Sequence, residues 1–178
     1  MSRKKTTYDS AGVDYQTLDH LKRTAQHAAL LTQKNLSPYG KEVSSSRGES
    51  AYVWKQDAVY MASVIEGLGT KNLVADAMRK YTGKTYYDRI AHDTVATIIN
   101  DLATVGAKPL TLHAYWATGD SAWLGDKKRT QDLIRGWKNA CDIAGVTWAG
   151  GETPTLKGII MPDAIDLGRL SVVQMHFL

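Results

Sequence analysis

The stretch that decides the expected fold is DRIAHDTVATIINDLATVGAKPLTLHAYWATG, residues 88–119 of a 178-residue chain. Its first half repeats apolar residues three and four positions apart, the spacing of one helix stripe, at Ala91, Val95, Ile98, Leu102 and Val105. Gly106 is a natural helix stop, and Pro109 shortly afterwards prevents the helix from continuing. The second half predicts a strand over residues 110–117. The stretch therefore predicts a helix that is followed directly by a strand.

The polar side chains of this helix fall in two places. Counted at about 100° per residue, Asp93 and Asn100 lie over one another, opposite the apolar stripe. Asp101 lies about 80° from the stripe by the same count, where it would be partly covered. A half-buried carboxylate requires a cation or hydrogen-bond donors, because burying a bare charge is costly. From spacing alone, the simplest interpretation is a solvated helix face with a boundary aspartate.

Composition and charge bound the class of protein. The chain suits one domain with a substantial core, and its net charge is +4. Arg3, Lys4 and Lys5 supply much of that excess and no basic block follows, so we expect no nucleic-acid partner but allow a phosphorylated small molecule. Cys141 is the single cysteine, which excludes an internal disulfide and suits a small core residue. With no secretory signal and no run of about 18 apolar residues, we expect a cytoplasmic protein and no membrane partner.

Patterning along the chain predicts a mixed β-sheet with helices packed on it, in the α/β (α+β) class. Further helices are predicted over residues 16–32, 72–81 and 128–144. Further strands are predicted over residues 51–54, 59–65, 146–149 and 164–173, the first two forming a hairpin. A long polar loop over residues 35–50 and a shorter loop over residues 120–126 complete the pattern.

Two glycine turns follow predicted strands. The first, EGLGTK at residues 66–71, leads into a helix, so its backbone N–H groups would favour an anion at a helix N-terminus. It is not a Walker A loop, because the lysine follows the threonine, and a tight strand–helix turn is an equally good interpretation. The second, GGETP at residues 150–154, places a carboxylate at a strand end, where sites in α/β folds gather.

Carboxylates near these turns favour one kind of site. The candidates are Glu66, Asp93, Asp101 and Glu152. No nucleophile elbow or Cys–His signature accompanies them. Magnesium takes only a few carboxylates and completes its coordination with phosphate oxygens and water. The residues therefore predict a magnesium–polyphosphate site.

The motifs in this order resemble the N-terminal domain of the AIR synthetase (phosphoribosylformylglycinamidine cyclo-ligase) family. They are AGVD at residues 11–14, EGLGTK at 66–71, IAHD at 90–93, NDL at 100–102, GAKPL at 106–110, YWATG at 115–119 and GGET at 150–153. The family uses ATP and magnesium to phosphorylate the formyl amide oxygen of a phosphoribosyl substrate, after which a ring nitrogen closes on that carbon. The resemblance thus implies the fold of this superfamily and an ATP-dependent ring closure in purine biosynthesis.

The resemblance also implies roles for individual residues. Asp93, Asp101 and Glu66 would be magnesium–phosphate ligands, the first two sharing a cation position when nucleotide is bound. The ATP and phosphate contacts would be Gly67, Gly69, Thr70, Lys71, Asn100, Gly150, Gly151, Glu152 and Thr153. It divides the chain into an arm (1–15), the ATP-binding domain (16–173) and a tail (174–178). It further implies a homodimer formed by joining sheets, for which Tyr52, Trp54 and Tyr60 in the apolar hairpin are suitable anchors.

Three departures from the family pattern keep alternatives open. Glu66 stands where the family usually has aspartate, so its carboxylate reaches one methylene further. The segment SSSRGES at residues 44–50 replaces a glycine-rich loop, and the family's second domain is not recognisable, which predicts a partial active site without turnover. The alternatives are a thiamine-monophosphate kinase, selenophosphate synthetase or hydrogenase-maturation type within the superfamily, or a non-catalytic dimerisation or regulatory module.

Overall fold

A computed structural model describes residues 7–175, which form two compact units divided between Glu42 and Val43. The first unit contains helix α1 (Tyr15–Leu30), short 3₁₀ turns at Asp9–Ala11 and Gln33–Asn35, and the short strand β1 (Lys41–Glu42). Asp14 caps α1 by accepting a hydrogen bond from the backbone N–H of Gln16 at 2.9 Å. The predicted helix over residues 16–32 is therefore present, and the division falls inside the predicted domain over residues 16–173.

The second unit is built on a mixed sheet. Its strands are β2 (Tyr52–Gln56), β3 (Val59–Gly67), β4 (Thr111–Thr118), β5 (Thr147–Glu152) and β6 (Ile165–Met175). They lie in the order β2-β3-β6-β4-β5, antiparallel except for the parallel pair β4–β5. The helices are α2 (Lys71–Thr82), α3 (Tyr87–Thr104), α4 (Ser121–Gly125) and α5 (Lys127–Ala144). The predicted α/β (α+β) class, a mixed sheet with helices packed on it, is confirmed.

Helix α3 and strand β4 form the centre of this unit. The apolar stripe of α3 is buried at Ala91, Val95, Ile98 and Leu102, and the helix packs against α5, β3 and β6. Gly106 ends it in a left-handed conformation with φ +71°. The N–H of Ala107 then donates to the carbonyl of Leu102 at 3.0 Å, which closes a Schellman-type cap. The predicted helix stop is confirmed.

The second glycine turn is not a turn. Strand β5 runs on through Glu152, and its register against β4 shifts at a bulge between Leu112 and His113. A Cβ on Gly151 would lie 2.0 Å from the backbone oxygen of Ala114. Gly151 is therefore required because β4 and β5 approach closely, and Gly150 because its φ is +133°, uses of glycine that turn statistics do not reveal.

Two predicted loops are more ordered than expected. Residues 120–126 contain α4, which Asp120 caps by accepting from the N–H of Ala122 at 2.8 Å. Residues 35–50 include β1 and a 3₁₀ turn at Ser44–Ser46. The Ser46 hydroxyl is buried and accepts from the N–H of Val53 at 2.8 Å. A side-chain cap thus orders the first segment and a side-chain bond to β2 orders part of the second, and periodicity detects neither.

One face of the second unit's sheet carries the core, and the other is open. Trp137 of α5 packs against Trp116 of β4 and Trp148 of β5, with the three ring centroids 5.4–6.0 Å apart. Cys141 is buried in the same core, as predicted. The opposite face leaves large apolar side chains exposed on three adjacent strands, namely Ile65, Tyr115, Leu170 and Val172.

Within residues 7–175, no helix has the length and apolarity needed to cross a bilayer.

Candidate functional site

The first glycine loop joins β3 to α2, as predicted. Thr70 precedes the helix without forming a side-chain cap, and Gly69 adopts φ +74°. Two hydrogen bonds to β6 hold the loop and the start of α2. The N–H of Leu68 donates to the carbonyl of Leu167 at 2.9 Å, and the buried Asn72 side-chain amide donates to the carbonyl of Ile165 at 2.8 Å. The first-turn N–H groups of a rigidly held helix are thus left without a side-chain acceptor, which favours an anion at this end.

The Lys71 ammonium lies 2.8 Å from a carboxylate oxygen of Asp93. Lys71 begins α2 and Asp93 is on α3, so the pair joins the glycine loop to the central helix. The two side chains are 55% and 42% exposed. An exposed pair of this kind contributes little to stability, so a ligand can separate it at small cost. The structure therefore brings a predicted phosphate-binding lysine to a predicted metal ligand.

Asn100 and Asp101 lie further along α3. Asn100 is exposed and Asp101 is half-buried, as the angular count predicts. Eight residues separate Asp93 from Asp101, which corresponds to about 12 Å along a helix axis. Magnesium binds its ligands at about 2 Å, so one ion does not contact both carboxylates directly. A shared site remains a prediction and requires phosphate groups between them.

Arg169 was not anticipated from the sequence. It lies on β6 opposite Glu66 of β3 on one side and Ala114 of β4 on the other, and its side chain is 1% exposed. None of its three guanidinium nitrogens has a hydrogen-bond partner within residues 7–175. Burial lowers the pKa of Arg169 to about 10, while the charges of Glu66 and Asp101 oppose that shift.

One signal in the sequence could have revealed Arg169. Alternate residues of β6 face the core, and the run Ile165, Leu167, Arg169, Ser171 and Val173 is buried throughout. An arginine in an otherwise inward-facing, period-two pattern is a buried charge that requires an explanation.

Two cavities meet at Glu66. One of about 560 Å³ is lined by Gly67, Gly151, Glu152 and Arg169 as well as Glu66. The other, of about 470 Å³, is lined by Glu49, Ser50, Glu66 and Asp101 among others. The predicted residues that line neither of these two cavities are Gly69, Thr70, Lys71, Asp93, Asn100, Gly150 and Thr153. The predicted residues that line a cavity are therefore grouped around Glu66, whereas the Lys71–Asp93 pair lines neither cavity.

A metal ion has a limited donor set here. Among the described residues, no group of three or more His, Cys, Asp and Glu side chains could hold a metal ion. Asp93 by itself fits the requirement of a magnesium ion that is bound mainly through substrate phosphates and water. Glu66 and Asp101 fit less well, because the charge of the buried Arg169 guanidinium already acts on both, and unlike the exposed Lys71 it cannot turn away.

Comparison with known proteins matches residues 48–169 to the family described as AIR synthase related protein, N-terminal domain. The chain is 32% identical to a phosphoribosylformylglycinamidine cyclo-ligase of Carboxydothermus hydrogenoformans, over 95% of the chain and 46% of that protein. It is 30% identical to the cyclo-ligase of Shouchella clausii, over 93% of the chain and 45% of that protein. The chain therefore spans slightly less than half the length of these relatives.

Among solved structures, AaThiL in complex with AMPPCP and TMP superposes with a TM-score of 0.62. The match covers 97% of this chain and 45% of that one, at 12% sequence identity. At that identity the similarity concerns the fold alone.

Proposed function

Because the chain belongs to the AIR synthase related family through that family's N-terminal domain, we propose that it is the nucleotide-binding part of a phosphoribosylformylglycinamidine cyclo-ligase-like enzyme. The observation that carries the proposal is the Lys71–Asp93 pair at the end of a glycine loop and the start of a helix. Phosphoryl transfer requires positioning and charge neutralisation more than covalent chemistry from the protein. Lys71 and Asp93 would supply both at this corner of the fold.

ATP phosphates would bind at the N-terminus of α2. The N–H groups there and the Lys71 ammonium are donors and positive charges, and Gly67 and Gly69 allow phosphate oxygens to approach the backbone. Asn100, Gly150, Gly151, Glu152 and Thr153 would line the remainder of the nucleotide or substrate cleft. The exposed Asp93 would turn from Lys71 to a magnesium ion as the lysine turns to a phosphate. Magnesium, when bound, neutralises phosphate charge and orients the transferred group.

The reaction in which these residues would take part begins with transfer of the γ-phosphoryl group of ATP to the formyl amide oxygen of a phosphoribosyl substrate. A ring nitrogen then attacks the activated carbon, and phosphate leaves. Transfer requires reacting atoms held about 3–3.5 Å apart with water excluded. The residues of this chain would supply one wall of such a cleft, so we expect residues 1–178 to bind nucleotide. Such a biosynthetic reaction uses the ATP of the cytoplasm, and we therefore place the chain in the cytoplasm.

We further propose a homodimer. The exposed residues Ile65, Tyr115, Leu170 and Val172 make an apolar patch on the open sheet face, and apolar patches of this kind mark protein interfaces. The hairpin residues Tyr52 and Trp54, whose rings stack 6.0 Å apart, would extend it. A monomeric mass in light scattering at micromolar concentration would contradict this assembly.

Calorimetry with ATP and Mg²⁺ tests the nucleotide site. Lys71→Ala and Asp93→Asn are each expected to weaken binding by about 1–3 kcal/mol, the usual cost of losing a charged partner. Lys138→Ala is a matched control, because Lys138 forms a similar exposed pair with Asp142 at 2.5 Å on another helix. The control should bind as the natural chain does. Absence of ATP binding by the natural chain would favour a non-catalytic regulatory module instead.

A further inference from the structure

Among residues 43–175, Arg169 is the only charged side chain that the fold buries almost completely. Its Nε, Nη1 and Nη2 atoms have no hydrogen-bond partner there. An unpaired buried charge is one of the most costly features that a core can contain. The surroundings of Arg169 must therefore compensate its charge through groups that are close without being in hydrogen-bond contact.

Two carboxylates meet this requirement from two different elements. Glu66 faces Arg169 directly across the β3–β6 pair, where opposed Cβ atoms lie about 4.5–5.5 Å apart. Asp101 approaches from α3, which packs on β3 and β6. Both carboxylates favour the charged form of Arg169. On its other side Arg169 faces Ala114, whose small side chain leaves room for the long arginine.

We propose that the Arg169 guanidinium is the resident cation of Glu66 and Asp101, and that its charge takes the place of the divalent metal ion these two carboxylates would otherwise hold. The positive charge of Arg169 offsets half the charge of the two carboxylates, which weakens their attraction for a second cation. A divalent ion would also lie within a few ångströms of a like charge, which is unfavourable at any dielectric constant. Of the three predicted metal ligands, Glu66 and Asp101 thus already have the charge of Arg169 as their counter-ion.

Access for a metal ion is not what limits cation binding by Glu66 and Asp101. The cavity of about 470 Å³ is lined by Glu66 and Asp101, and Glu49 adds a third carboxylate at its wall. A hydrated ion therefore has space to enter. Replacing Arg169 by a neutral side chain of similar length should convert the Glu66–Asp101 pair into a working cation site. Cation binding by this pair requires no nucleotide and no enzyme activity.

Binding of Mn²⁺ to the full chain, followed by electron paramagnetic resonance without nucleotide, tests the proposal. Arg169→Met should bind Mn²⁺ at least about tenfold more tightly than the natural chain, because a repulsive charge has been removed. The second substitution Asp101→Asn in that background should abolish the gain, and Arg169→Lys should produce none. Arg135→Met is the matched control, since Arg135 pairs with Asp132 at 2.6 Å on the surface; it should leave Mn²⁺ binding unchanged.

An Arg169→Met variant that folds, as judged by circular dichroism, but gains no site overturns the proposal. A gained site that survives Asp101→Asn also overturns it. If Arg169→Met does not fold, the natural chain supplies the decisive comparison. There Asp101→Asn should leave Mn²⁺ binding unchanged, and a clear loss would mean that a metal ion, not the arginine, is the natural partner of Asp101.

Discussion

Replacing Gly151 by alanine should destabilise the second unit by about 2–4 kcal/mol, the cost of two to four lost hydrogen bonds. The new Cβ would lie 2.0 Å from the oxygen, 2.8 Å from the carbon and 2.9 Å from the nitrogen of Ala114. All three are backbone atoms, so no side chain can move aside to relieve the overlap. Strand β5 must retreat from β4, and the parallel pairing around Ala114–Gly151 is lost.

Urea unfolding monitored by tryptophan fluorescence measures this cost, because Trp116 on β4 and Trp148 on β5 lie at the disturbed pair. Gly125→Ala is the control: a Cβ there would meet nothing within 4 Å, and its backbone is not left-handed. The control should remain within about 0.5 kcal/mol of the natural chain. A loss below about 1 kcal/mol for Gly151→Ala at an unchanged m-value would refute the argument from close strand approach.

Three further predictions concern other parts of the second unit. The Arg79 guanidinium lowers the pKa of Asp126 below its usual 3.8. The stability that this pair contributes is therefore present above that pH and is lost on acidification. In urea unfolding, the difference in stability between the natural chain and Asp126→Asn should shrink as the pH falls towards about 3. Burial raises the pKa of the Cys141 thiol to about 11. At about pH 8 a thiol reagent should therefore label Cys141 only as fast as the chain unfolds. Rapid labelling of the folded protein would count against a buried thiol. Ile65, 76% exposed, should tolerate lysine without loss of stability; if the proposed dimer forms through this face, Ile65→Lys should lower the mass seen in light scattering.

The parts of the fold that sequence predicts well are those whose signal is local. The stripe on α3 repeats within 15 residues, and Gly106 followed by Pro109 determines where the helix stops, so neither requires knowledge of distant contacts. The strand–loop–helix arrangement around residues 66–71 follows in the same way. Its association with Asp93 could be expected only from the family resemblance, because the two segments are separated by a helix.

The parts that sequence does not predict are determined by partners elsewhere in the chain. Gly150 and Gly151 have the composition of a turn, and only the approach of β4 makes them strand residues. The significance of Arg169 depends likewise on Glu66 and Asp101, which come from another strand and a helix. Period-two patterning indicates that an arginine is buried, but the neighbours that decide its role emerge only when the sheet is assembled.

The place of β6 in the sheet has a consequence for how the chain folds. It is the last strand along the described residues, yet it lies between β3 and β4 and pairs with both. The pair Glu66–Arg169 joins positions about 100 residues apart, so it closes a long loop before it gains any contact energy. The β2–β3 and β4–β5 halves remain separate sheets until β6 joins them. Assembly is therefore dominated by non-local contacts, and we expect folding to be slow for a domain of this size. Until β6 has paired, the exposed edges of β3 and β4 are the surfaces most open to association with other chains.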